Sequence, residues 1–204
     1  MEIEQLGIQG VFLVKPKIFP DSRGEFLEMF SQPAFERAVG HPLGVAQVNC
    51  SASVRGTIRG LHGIALPGQS KYVSCAAGAI LDVVVDVRLG SPTYCKHVAV
   101  ELSAANRHAL YLAEGLAHGF APRTESATMV YLCSSTYSPA ASYSINPLDA
   151  DLDLPWPTDV PPVLSEQDEA APGLRRAERL GLLPTWTQCQ ARYAELSNLT
   201  AAAL

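Results

Sequence analysis

The chain has 204 residues and a formal net charge of −5, so it can bury a sizeable core and lacks the basic stripe that nucleic-acid binding needs. It contains no run of about 18 apolar residues, which speaks against a membrane-spanning helix. The N-terminal stretch MEIEQLGIQG has neither the basic nor the apolar region of a signal peptide, so a cytoplasmic location is expected.

In chain order, Gly10 to Ile18 is strand-like, with Pro16 marking an edge. Asp21 to Gly24 reads as a tight turn, and alternation then places Phe26, Glu28 and Phe30 on one face. Arg23 and Glu28 read from spacing as a solvated pair. Ser31 is positioned to cap a short helix over Ala34 to Val39. Val45 to Ser53 is a strand with Gln47 and Asn49 on one side, forming either a hydrogen-bonding wall or a water-facing edge.

The stretch TIRGLHGIALPGQSKYV, Thr57 to Val73, holds Arg59, His62 and, beyond a Pro67–Gly68 turn, Lys71. His62 is the residue best suited to be a base. Arg59 and His62 have opposite strand parity, so presenting both to one pocket requires a bulge, expected at Gly60.

Ala79 to Arg88 alternates as a strand, with Val83, Val85 and Val87 on one face and Asp82, Val84, Asp86 and Arg88 on the other. The two carboxylates read either as a metal or acid–base pair or as salt-bridge partners of Arg88. His97, on a polar face with Glu101, reads as solvated, as do His41 and His108. His118, between glycine-flanked apolar residues, is either tucked against backbone or exposed in a pocket. Ala127 to Tyr137 reads as one long strand, which would put Tyr131 and Tyr137 on one face about 20 Å apart.

After Asp149 the chain turns rich in proline and aspartate and reads as a wrapping loop. Ser165 and Asp168 have the spacing of a helix N-cap, and Leu174 to Gly181 and Thr187 to Asn198 are helical by pattern. Short strands with helices only near the end give an all-β sandwich or barrel. We expect a single domain over residues 1–204, its core at about 10–148 and the loop and helices at about 149–204.

His62 as base, Asp168 as its orienting carboxylate, Tyr131 as proton donor and several cations suit acid–base chemistry on a phosphorylated ligand. A metal-binding β-barrel of the cupin type would carry an HxH pair, but Gly63 and Ile64 follow His62. No metal or other cofactor is therefore expected. Five cysteines (Cys50, Cys75, Cys95, Cys133 and Cys189) form no CxxC pair and lie mostly in apolar runs, which points to buried free thiols.

Nine segments in order (DSRGEFLE, QVNCSAS, RGLH, QSKYV, GAILDVVVDVRLGSPTY, EGLAHGF, VYLCSSTYSP, INPLD and LSEQDEAAP) resemble the dTDP-4-dehydrorhamnose 3,5-epimerase family, over about Gly10 to Leu183. The resemblance implies a metal-free, dimeric jelly-roll of the cupin type acting on a dTDP-4-keto-6-deoxy sugar. It implies His62 as base, Asp168 as its partner, Lys71 as stabiliser of the C4 oxyanion and Tyr131 as acid. Arg59, His118, Gln47 and Asn49 would line the sugar and diphosphate site, and Tyr137 would stack on thymine. Arg23, Phe26 and Glu28 would reach the nucleotide from the neighbouring subunit. Two departures stand out. Gly63 and Ile64 replace the usual aromatic and following polar residue, and the loop to Lys71 is slightly short.

Overall fold

The computed structural model describes residues 1–201, with side chains described through Asn198. Its strands are β1 (Glu2–Gln5), β2 (Val11–Lys15), β3 (Ile18–Asp21), β4 (Gly24–Leu27), β5 (Gln47–Val54), β6 (Arg59–Ile64), β7 (Lys71–Ala77), β8 (Ala79–Val85), β9 (His97–Ser103), β10 (Ala109–Leu112), β11 (Ala117–Pro122), β12 (Ser126–Cys133) and β13 (Ser142–Ser144). The helices are α1 (Gln32–Val39), α2 (Glu166–Glu169), α3 (Leu174–Arg179) and α4 (Trp186–Ala201).

Eleven strands form two antiparallel sheets, ordered β1-β2-β10-β7-β12-β5 and β13-β6-β11-β8-β9, and β3 and β4 form a separate hairpin. The period of two in each strand sends alternate side chains to opposite faces and so creates three apolar layers. Ile80, Val84 and Phe120 from the five-stranded sheet meet Val73, Leu110, Leu112 and Met129 from the six-stranded sheet, and this contact is the centre of the sandwich. The other face of the five-stranded sheet (Leu61, Leu81, Val83, Val85) is covered by the C-terminal segment through Leu152, Trp156, Leu174 and Leu183. The outer face of the six-stranded sheet (Phe12, Val14, Tyr72, Tyr111) is covered near α1 by Phe35.

Several expectations need correction. The stretch from Gly10 breaks at Pro16, which has no N–H for a ladder, and resumes as β3. The acidic N-terminus adds β1 to the sheet edge, its Glu2 and Glu4 paired with Lys15 across the ladder. Ser31 does occupy the N-cap of α1, but its side chain makes no capping bond; Pro33 in the first turn removes one of the donors a cap would satisfy. His41 is buried rather than solvated, with Nδ1 2.9 Å from the Pro42 carbonyl. Arg23 pairs with Asp21, not Glu28, through a 2.6 Å Nη2–Oδ2 bond. Cys50 and Cys95 are exposed, while Cys75, Cys133 and Cys189 are buried, and all five are free thiols.

Candidate active site

The two sheets part at one end of the sandwich around a cavity of about 320 Å³. His62 and Arg59 reach it from β6, His118 and Phe120 from β11, Lys71 from β7, Tyr131 and Cys133 from β12, and Asn49 and Ser51 from the edge strand β5. A larger hollow of about 490 Å³ lies beneath the proline-rich loop at Trp156, but no histidine, lysine or tyrosine lines it.

The expected bulge is present. His118 is opposite His62 and Phe120 opposite Arg59, so β6 spends two intervening residues where β11 spends one. That extra residue restores a common face for Arg59 and His62. Gly60 carries it at φ +133°, where an added Cβ would lie 2.6 Å from the Gly119 Cα. The same bulge turns the Gly60 N–H toward Asp168 Oδ2, at 3.5 Å.

His62 Nε2 lies 2.7 Å from Asp168 Oδ1. The carboxylate accepts the Nε2 proton, which leaves Nδ1 with the lone pair. Asp168 is held by α2: its N–H donates to the Ser165 Oγ at 3.1 Å, so the N-cap spacing read from the sequence is also what positions the dyad. Burial pushes the Asp168 carboxyl up, but the bonds from His62, Ser165 and Gly60 outweigh it and hold the group below the usual carboxylate range. The imidazole of His62 is thus oriented by a carboxylate that stays ionised.

Tyr131 faces this dyad from the opposite sheet. Its hydroxyl is 2.9 Å from the Ser51 Oγ. Burial pushes its phenol up to about 12, so it carries its proton at neutral pH. Lys71 lies on the same sheet as Tyr131 and makes no ion pair among the described residues. Burial lowers its ammonium pKa, with Cys133 and Asp82 offsetting part of that. A base on one sheet, and a proton donor and a free cation on the other, can remove a proton from one face of a bound carbon and return one to the other.

Residues 5–176 match the dTDP-4-dehydrorhamnose 3,5-epimerase family. The chain belongs to that family. Over 91% of its length it is 50% identical to a dTDP-4-dehydro-6-deoxyglucose 3-epimerase of Streptomyces bikiniensis, covering 95% of that protein. It is 48% identical to a dTDP-4-dehydrorhamnose 3,5-epimerase of Streptomyces griseus, over 91% of this chain and 93% of that one. Among solved structures, a 3′-monoepimerase of Streptomyces bikiniensis in complex with dTDP-quinovose superposes with a TM-score of 0.92 at 48% identity, covering 94% of this chain and 98% of that one.

Within this epimerase-family pocket the structure brings together His62, Asp168, Tyr131, Lys71, Asn49, Arg59, His118 and Tyr137. Gln47 stands one step back: its amide donates to Asn49 Oδ1 at 2.7 Å and its carbonyl accepts the Tyr137 N–H at 2.8 Å. Tyr137 gets there differently than expected. The strand stops at Cys133, and the chain then turns, so Tyr131 and Tyr137 line one cavity instead of lying far apart on a straight strand. Arg23, Phe26 and Glu28 are exposed on or just after the β3–β4 hairpin and do not line this protomer's cavity.

The sequence reading missed Asp82 as part of the site. It is fully buried, and its two oxygens lie 3.0 and 2.9 Å from His118 Nε2. His118 therefore stands in the pocket, one of its two expected settings, but is buried there against Asp82. The alternation that put Asp82 on the inward face of β8 was the available signal. Asp86, expected as its companion, lies past the end of β8 and instead binds Arg88, Ser91 and Thr93.

Proposed function

We propose that this protein epimerises a dTDP-4-keto-6-deoxyhexose at C3 and C5. The observation that carries the reading is the placement of the His62–Asp168 dyad and Tyr131 on opposite sheets of one cavity. The C4 ketone acidifies the protons on C3 and C5. His62 Nδ1 takes one of them; the electron pair of the broken C–H bond forms a double bond to C4, and the carbonyl π pair moves onto the C4 oxygen. The Lys71 ammonium stabilises the enolate charge there. Tyr131 then donates its phenolic proton to the opposite face of the same carbon, and solvent reprotonates the tyrosinate and takes the proton from His62.

A reading with one inverted centre is favoured by a separate observation: a relative at 50% identity is a 3-epimerase. Incubation with the 4-keto sugar nucleotide in heavy water separates the two. Deuterium with inversion at both C3 and C5 is the expected outcome. Label at one carbon selects the mono-epimerase, and label at neither sinks the epimerase reading.

The remaining expectations belong to the same proposal. The two-sheet topology supports a cupin-type jelly-roll, and the packing of Leu152, Trp156, Leu174 and Leu183 onto the five-stranded sheet supports one domain over residues 1–204. The metal-free reading rests on the chain itself, in which Gly63 and Ile64 follow His62 where a metal-binding cupin carries the second histidine of an HxH pair. Free, partly exposed thiols fit a reducing cytoplasm. A homodimer is supported by the exposed apolar groups Val48 and Val54 on the edge strand β5, whose Asn49 and Ser51 line the cavity. In that dimer Arg23, Phe26 and Glu28 complete the partner's site, so mixing Arg23→Ala with His62→Ala protein should restore activity through hybrid dimers. A fully active monomer in solution would refute it.

A further inference from the structure

Among the described residues the Tyr131 hydroxyl has one hydrogen-bond partner, the Ser51 Oγ at 2.9 Å, and the Ser51 hydroxyl bonds nothing else. Strand register explains the contact. Tyr131 pairs with Asn49 across the β12–β5 ladder and Met129 pairs with Ser51, so Ser51 is the diagonal neighbour of Tyr131 on the same face. Both side chains line the cavity. Ser51 is half-buried, and β5 is the outermost strand of its sheet. The Arg59 guanidinium fixes the segment just beyond: Nε donates to the Ser53 Oγ at 2.9 Å and Nη2 to the Ala52 carbonyl at 3.3 Å. A phenol carries a single proton and can donate it to only one acceptor. When Tyr131 aims that proton at a bound carbon, the donor in the 2.9 Å contact has to be the Ser51 hydroxyl.

We propose that Ser51 is the positioning residue of Tyr131: its hydroxyl donates to the phenol oxygen, turns the phenol proton into the cavity and stabilises the tyrosinate left after proton transfer. The inference rests on the epimerase reading. Burial makes that anion costly, and Ser51 is the largest of the groups that offset it, with Arg59 assisting and Asp82 and Cys133 opposing. A hydrogen bond to a charged group is worth more than one between neutral groups, so the Ser51 contact strengthens as the phenol gives up its proton. Ser51 therefore acts in the reprotonation half of the reaction. Proton removal by His62, on the other sheet, does not pass through it.

The test follows initial rates of inversion and of deuterium uptake in heavy water, with the 4-keto sugar nucleotide as substrate. Ser51→Ala should lower the ratio of inversion to uptake by about ten- to a hundredfold, the worth of one hydrogen bond to a charged group. The fall should appear in kcat for inversion, with KM moved little. Ser51→Thr keeps the hydroxyl and should restore most of the ratio. In a Tyr131→Phe background, Ser51→Ala should add no further loss of inversion, because the two side chains act as one unit. A wild-type ratio in Ser51→Ala overturns the proposal. So does a rise in KM for uptake that persists in the Tyr131→Phe background, which would make Ser51 a contact of the sugar itself. Either result leaves the epimerase reading standing. A wild type that takes up no deuterium overturns that reading and this one with it.

Discussion

His62, Asp168, Tyr131 and Asp82 make separable contributions, and each is removable by one atom or group. His62→Asn should abolish deuterium uptake at both carbons, since a positioned general base is worth on the order of 10²–10⁴ in rate. Asp168→Asn should weaken uptake strongly, because the imidazole loses the carboxylate that fixes its tautomer at 2.7 Å. Near-normal exchange in a folded His62→Asn protein would place the base elsewhere. Tyr131→Phe should keep exchange through His62 with retention of configuration while inversion falls sharply; inversion at wild-type rates would make Tyr131 a core residue. Asp82→Asn should cost about 1–3 kcal/mol of stability and raise KM more than it lowers kcat, because His118 loses a bidentate anchor. A change in kcat alone would argue against that positioning role. The first three residues were legible from motif order. Asp82 was not, because its partner is His118 on the neighbouring strand, and strand register cannot be read from spacing alone.

At the scale of elements, the bulge at Gly60 is the feature on which the site depends. Without it Arg59 and His62 would face opposite sides of β6. Gly60→Ala forces a side chain onto φ +133° and to within 2.8 Å of the His118 carbonyl oxygen. We expect a loss of at least about 2 kcal/mol in chemical denaturation, together with loss of exchange activity. A variant with wild-type stability and exchange would show that the bulge is dispensable. This bulge was legible because parity conflicted with chemistry at two nearby residues. The end of β12 was not: Ser134, Ser135 and Thr136 continue a pattern that β-strands accept, and only the pairing of β12 with β5 and β7 stops at Cys133. β1 was hidden for a related reason. Its charges look solvated in isolation and find Lys15 only once β2 lies beside it.

Across the whole molecule, α4 locks the end of the chain onto the sandwich through a buried polar cluster. Arg88 is fully buried, pairs with Asp86, donates to the Tyr193 hydroxyl at 3.0 Å and stacks on Trp186. Tyr193 in turn donates to the Glu114 carbonyl at 2.6 Å. The Glu114 side chain is the weak member. It is 2% exposed, one oxygen has no partner, and the other lies 3.9 Å from Arg192. Burial raises its pKa above the ordinary value, and its own backbone N–H, Arg192 and His41 only partly counter that. Tyr111, Tyr193 and Cys189, which also face it, contribute no positive charge. A carboxyl with a raised folded-state pKa binds its proton more tightly folded than unfolded. Its contribution to stability is present below the ordinary glutamate pKa, near 4.3, and is lost as pH rises through the folded value. Glu114→Gln keeps the shape and removes the titration. Its melting temperature should therefore gain on wild type as pH is raised from 5 to 8, by about 2–4 °C for each kcal/mol removed. A gap that stays constant or narrows over that range would show that Glu114 is stabilised as the anion in the folded protein.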